Sequence, residues 1–375
     1  MAALALSEYR RLVVKVGSSL LIDESGELNR RWLESLALDI AGLQDDSHEL
    51  LIVSSGAIAL GSSVLGINKK RARLPDLQAA AAAGQVQLVH AYQEVLEKHR
   101  IRGAQILLTP EDTENRRRFL NARSTFGRLL ELSVVPIVNE NDTVATEEIR
   151  YGDNDRLAAR VAQLVMADAL ILLSDVDGLY SSDPGTDSSA TLIPEVRTIG
   201  SDILAIAGES RSDIGSGGMA TKVLAARIAT HAGCSTIIAS GTVDNPLQKL
   251  ADGGRCTIFR PEGTPAAARK QWLAGVLEVR GEIRIDKGAA KALQGGNSLL
   301  PVGVIQVVGK FRRGDVVTVT GPNGTEIGRG LAEYSDEDAA RLKGCQSDQI
   351  EDRLGYRGRS VMIHRDELVL FDSEN

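Results

Sequence analysis

A chain of 375 residues is long enough for two domains, and with 43% apolar residues each can bury a core of its own. Aromatics make up only 3% and the net charge is −7, which argues against a base-stacking surface and against a broad pull toward nucleic acid or anionic membrane. Three scattered cysteines without a CxxC speak against a disulfide framework or zinc site, and no apolar run nears the ~20 residues that span a bilayer.

The opening MAALALSEYRR lacks the layout of a signal peptide, so a cytoplasmic enzyme or binding protein is expected. Short apolar runs then recur along the chain: LVVKV (12–16), LLIVS (50–54), AQILLT (104–109), VVPIV (134–138), ALILL (169–173) and STIIA (235–239). Each reads as a buried strand. Between them helices are predicted over 29–44, 76–100, 117–132, 156–167 and 218–232. The helix 76–100 carries its own punctuation, with Asp76 after Pro75 at its start and Gly103 past its end. Strands alternating with helices predict an α/β fold, a three-layer αβα sandwich around a mostly parallel sheet.

Every run empties into a polar or glycine-rich loop. GSS follows Val16, SSG follows Val53, PED follows Thr109, NEND follows Val138, SDVDG follows Leu173 and ASG follows Ala239. In open parallel sheets ligands bind beyond the carboxyl ends of the strands, so these loops frame the candidate site.

The pattern changes after about residue 255. RPEGTPAAARKQ (260–271) looks like a linker, and short alternating strands follow at 281–286, 303–311, 315–321, 325–330 and 360–368. Asn-Gly at 323–324 signals a hairpin. The expected division is 1–262, a linker 263–279, and a small, mainly β, barrel-like domain 280–375. From 279 onward 14 Lys and Arg face 15 Asp and Glu, without the basic excess of a nucleic-acid face.

Three segments carry chemistry. VVKVGSSL (13–20) leads a strand into a Gly-Ser turn, whose N–H groups can hold an anion beside Lys15. IGSGGMATKVLAARIA (214–229) aims a helix N-terminus at an anion, and Lys222 near that terminus opposes the helix dipole unless negative charge is near. Its GxGxxA match is no dinucleotide fingerprint, because the residues before it, AGESRSD, are not a strand. NENDTVATEEIRYGDND (139–155) concentrates acids and amides at the end of a buried strand, which suits an ammonium group or a metal. No histidine lies in any of the three.

VVKVGSS (13–19), VSSGAIALG (53–61), NENDTVATEEIRYGDND, LLSDVDGLY (172–180) and GSGGMATK (215–222), in this order, resemble the amino-acid kinase family over about residues 9–262. The tail from near 280 is similar to a PUA domain. The resemblance implies phosphoryl transfer from ATP, with Mg2+, to the γ-carboxylate of L-glutamate, the first step of proline synthesis. By the same resemblance Lys15 and Lys222 flank the transferred phosphoryl group, and Asp155 orients them or sits near magnesium. Ser174 and Asp175, with Ser216, Gly217, Gly218, Met219, Ala220, Thr221 and Lys222, match the nucleotide site. Ser55, Asp142 and Asn154 match the glutamate site, with Asp153 beside them; no metal ligand is assigned. Proline as inhibitor, coupling to a glutamyl phosphate reductase and a homo-oligomer, dimer or tetramer, are further expectations. Two rivals stay open: a family member acting on aspartate, acetylglutamate or a nucleoside monophosphate, and an RNA-binding protein with a degenerate kinase domain.

Overall fold

The computed structural model describes residues 6–23, 25–69, 71–144, 154–208, 218–275 and 279–371. The chain divides into two compact units, Met1–Pro265 and Ala266–Asn375. The stretch read as a linker, 263–279, carries a helix, Pro265–Gly275. Among the described residues no helix is long and apolar enough to cross a membrane.

The first unit holds eight described strands: β1 (Arg11–Val16), β2 (Glu49–Val53), β3 (Arg102–Leu108), β4 (Val134–Glu140), β5 (Ala169–Ser174), β6 (Glu195–Val196), β7 (Ser235–Ser240) and β8 (Cys256–Phe259). They form one sheet in the order β3-β4-β2-β1-β5-β7-β8-β6. All neighbours run parallel except β7 and β8. The order runs outward in opposite senses from β1 and β5, so the crevice between their carboxyl ends is the topological switch point.

Successive side chains of a strand point to opposite faces, and here they enter two different cores. Leu12, Val14 and Val16 pack with Trp32, Leu36, Leu88 and Tyr92, from the helices Arg30–Asp45 and Leu74–Glu97. Val13 packs in the other core, with Val161 and Ala226 from the helices Asn154–Val165 and Met219–His231. Lys15 shares the parity of Val13 and therefore faces the second pair of helices.

The long helix starts at Leu74, two residues before its predicted start, because Pro75 needs no N–H in the first turn and Asp76 accepts from the Arg73 N–H at 2.9 Å. A helix at Ala57–Leu65, inside what read as a loop, was not predicted; Gly56 at φ 96° and Gly66 at φ 65° bracket it. It packs so tightly on the long helix that a Cβ on Gly84 would lie 1.9 Å from the Ala57 carbonyl oxygen.

The second unit has a separate mixed sheet: β9 (Gly281–Ile285), β10 (Val304–Gly309), β11 (Val316–Thr320), β12 (Glu326–Leu331) and β13 (Leu368–Leu370), in the order β10-β9-β11-β12-β13. The Asn-Gly signal falls in the β11–β12 hairpin, with Gly324 at φ 77°. The strand expected over 360–368 is instead a short 3-10 turn, Arg365–Glu367, before β13. The His364 ring Nδ1 accepts the Asp366 N–H at 3.3 Å and turns the chain there. Helices at Lys287–Gln294, Asp336–Leu342 and Ile350–Leu354, which alternation does not reveal, contribute Leu293, Leu342 and Ile350 to its core.

Candidate active site

The carboxyl end of β1 delivers Lys15 to the switch point, between its neighbours Val53 of β2 and Leu172 of β5. Its Nζ lies 2.6 Å from Asp155 Oδ1. Asp155 stands in the first turn of Asn154–Val165, and its Oδ2 meets Lys222 Nζ at 3.1 Å and the Thr221 hydroxyl at 3.2 Å. Exposure is 7% for Lys15, 1% for Asp155 and 3% for Lys222. Burial pushes the Asp155 carboxyl up, but the two ammonium groups outweigh it and hold the pKa below the ordinary carboxylate value. Asp155 thus supplies negative charge near the start of the helix Met219–His231, where Lys222 alone would oppose the helix dipole. Two buried ammonium groups thus converge on one carboxylate at the switch point, an arrangement that suits an anion.

The preceding residue, Asn154, belongs to a different network. Its Nδ2 donates to the Ser54 carbonyl at 2.9 Å, the Ser55 hydroxyl at 2.8 Å and Asn139 Oδ1 at 3.2 Å. Asn139, next to last in β4, has the parity of Ile137 and so faces the long helix, where its Nδ2 donates to Gln85 Oε1 at 2.7 Å. Ser54 continues the parity of Ile52 and reaches the Tyr92 hydroxyl of the same helix at 3.2 Å. The consecutive residues Asn154 and Asp155 therefore join two networks, one of amides and hydroxyls, one of charges.

Asp142 opens a 3-10 turn, Asp142–Val144, packed beside the long helix. It is half-buried, and desolvation raises its pKa to about 6. Ser174 is buried at the end of β5, and its hydroxyl donates to Asp175 at 2.8 Å, which is exposed. Gly218 caps the helix Met219–His231, whose first turn carries Met219, Ala220 and Thr221. Asp153, Ser216 and Gly217 lie outside the described residues.

So the structure brings Lys15, Asp155, Thr221 and Lys222 into contact, and separately Ser55 with Asn154. Ser174 and Asp175 bond to each other at the end of the strand beside β1. Sequence reasoning missed Gln85, Asn139, Ser54 and Tyr92. Gln85 gave one signal, a polar residue on a stripe otherwise made of Ala81, Leu88 and Tyr92. Among the described residues no group of three or more His, Cys, Asp or Glu could hold a metal ion. Both Asp155 oxygens are held by lysines, so this donor set does not build a metal cage.

Two lysines drawn together by one carboxylate at the switch point of a doubly wound sheet, beside an amide-lined subsite, suit an α/β enzyme that handles phosphoryl groups. The sequence pattern of the amino acid kinase family matches residues 10–240, and that of the PUA domain matches 275–354. The chain belongs to the amino acid kinase family. Within it, a protein of Bradyrhizobium diazoefficiens named glutamate 5-kinase is 54% identical over 99% of this chain and 100% of its own. Another of that name, from Rhodopseudomonas palustris (strain BisB18), is 56% identical over 97% of each.

Proposed function

We propose that this chain transfers the γ-phosphoryl group of ATP to the γ-carboxylate of L-glutamate, giving L-glutamyl 5-phosphate and ADP and opening proline biosynthesis. The observation that carries the proposal is the buried trio in which Asp155 draws Lys15 and Lys222 together at the carboxyl end of β1. The name shared by relatives at 54% and 56% identity supplies the substrate.

A carboxylate with a reference pKa of about 4.3 is ionised at neutral pH and needs no general base. Its oxygen forms a bond to the γ-phosphorus while the bond to the bridging β–γ oxygen breaks, and that oxygen leaves with ADP. Catalysis is then positioning and charge stabilisation. Lys15 and Lys222 meet the charge on the transferred group, and Asp155 holds both ammonium groups in place. The segment Gly218 to Lys222, with Ser174 and Asp175, takes the nucleotide. Magnesium would arrive with the nucleotide and offset charge on its phosphates. At the other end Asp142 pairs with the α-ammonium, while Ser55 and Asn154 line the same subsite.

The product is an acyl phosphate, which hydrolyses readily, so a reductase must consume it promptly. Inhibition by proline, assembly into a homo-oligomer and a cytoplasmic setting belong to the same reading. Trapping acyl phosphate with hydroxylamine tests it. Hydroxamate is expected with ATP and glutamate, and not with aspartate or acetylglutamate, which lacks an ammonium group. No hydroxamate from glutamate overturns it.

A further inference from the structure

The amide network of Asn154, Asn139 and Gln85 has its orientation set at two backbone groups. Asn154 Nδ2 donates to the Ser54 carbonyl, which can only accept. Asn139 Oδ1 accepts from the Glu140 N–H at 2.9 Å, which can only donate, so Asn139 Nδ2 must donate onward to Gln85 Oε1. Neither amide can be reversed without breaking one of these bonds. One acceptor, Asn154 Oδ1, and one donor, Gln85 Nε2, are left over, and neither has a hydrogen-bond partner among the described residues. Both side chains are more than nine-tenths buried, at 6% and 8% exposure. A buried polar atom left without a partner is destabilising, and a network that keeps two of them has a use for them.

An acceptor and a donor on one rigid network complement a zwitterion. We propose that Gln85 is a specificity-determining residue, its Nε2–H donating to the α-carboxylate of the amino-acid substrate, while Asn154 Oδ1 accepts from the α-ammonium. The inference rests on the glutamate reading above. It explains why a polar residue interrupts the buried stripe of the helix Leu74–Glu97. It also makes that helix part of the substrate site, alongside the adjoining turn that carries Asp142.

The test pairs two variants with two substrates. 4-Aminobutyrate keeps the reacting carboxylate and the amine but has no α-carboxylate. Gln85→Met removes the donor at nearly constant volume, and Gln85→Glu keeps the acceptor for Asn139 while setting an oxygen against the substrate carboxylate. For Gln85→Met, kcat/KM for glutamate should fall ~10- to 100-fold, the range for a hydrogen bond to a charged group, with the KM for ATP unchanged. For 4-aminobutyrate kcat/KM should stay within about twofold of wild type. Gln85→Glu should depress glutamate turnover further. Equal losses on both substrates, or no loss on glutamate, overturn the inference. Absence of hydroxamate from wild type with glutamate overturns the underlying reading instead.

Discussion

Replacing Asp142 by Asn should make the protein more stable and a poorer enzyme at once. Asp142 is half-buried, and desolvation moves its pKa from 3.8 to about 6. At 1.36 kcal/mol per unit, that gap is worth about 3 kcal/mol. The sign follows from linkage. The folded state binds this proton more tightly than the unfolded chain does, so between pH 3.8 and about 6 stability falls as pH rises, and above that window the full penalty persists. Asn carries no charge to desolvate. Asp142→Asn should therefore gain up to about 3 kcal/mol at pH 7.5 and little at pH 4, read as the shift in urea midpoint at the two pH values. The same change removes the partner of the substrate ammonium, a charged hydrogen bond worth about 1.5–3 kcal/mol, so the glutamate KM should rise ~10- to 100-fold. In wild type that KM should climb as pH falls through about 6; in the variant it should not. Equal stabilisation at both pH values would refute the desolvation argument, and an unchanged KM would refute the ammonium assignment.

Lys222→Ala should lower kcat by about 100- to 1,000-fold, the scale for losing one donor to developing charge, and normal turnover in a steady-state assay would remove Lys222 from phosphoryl transfer. Asp155→Ala leaves two buried ammonium groups without their carboxylate and should cost about 3–5 kcal/mol in urea unfolding, partly restored by added ATP. Gly84→Ala should destabilise by about 3 kcal/mol or more, because its methyl would enter the Ala57 carbonyl. Gly127→Ala, within the helix Arg116–Glu131 and with nothing within 4 Å of its Cβ, should instead gain about 0.5–1 kcal/mol. Similar urea midpoints for the two alanines would contradict the packing argument.

Much of the first unit was readable because its central strands are buried on both faces. Apolar runs such as VVPIV and ALILL have few other places to go. The helix Ala57–Leu65 was not readable, since SSGAIALG carries small residues and glycines that serve a loop as well as a helix. Close approach to Gly84 selects the helix, and that contact is tertiary. In the second unit the alternation around 360–368 suggested a strand, but the His364 side chain captures a backbone N–H and makes a turn. The helices there are short, and packing on the sheet stabilises them more than propensity does.

The charged half of the site was legible as residue types: lysines after a strand and beside a helix N-terminus, and acids after β4. Of the amide half, Ser55 and Asn154 were legible by resemblance, but Gln85 and Asn139 were not, because Gln85 is 54 residues from Asn139, and Asn139 is 15 from Asn154. By itself the sequence determined which residues form strands and, through the two-residue period, that Lys15 and Val13 share a face opposite that of Val14. It also set Asn154 and Asp155 side by side at the start of a helix. Only the tertiary structure decided which helices cover each face. That choice puts Asp155 between two lysines and Asn154 against Asn139, because burial is settled by contacts between distant segments, and the pairing of a buried charge or amide is settled with it.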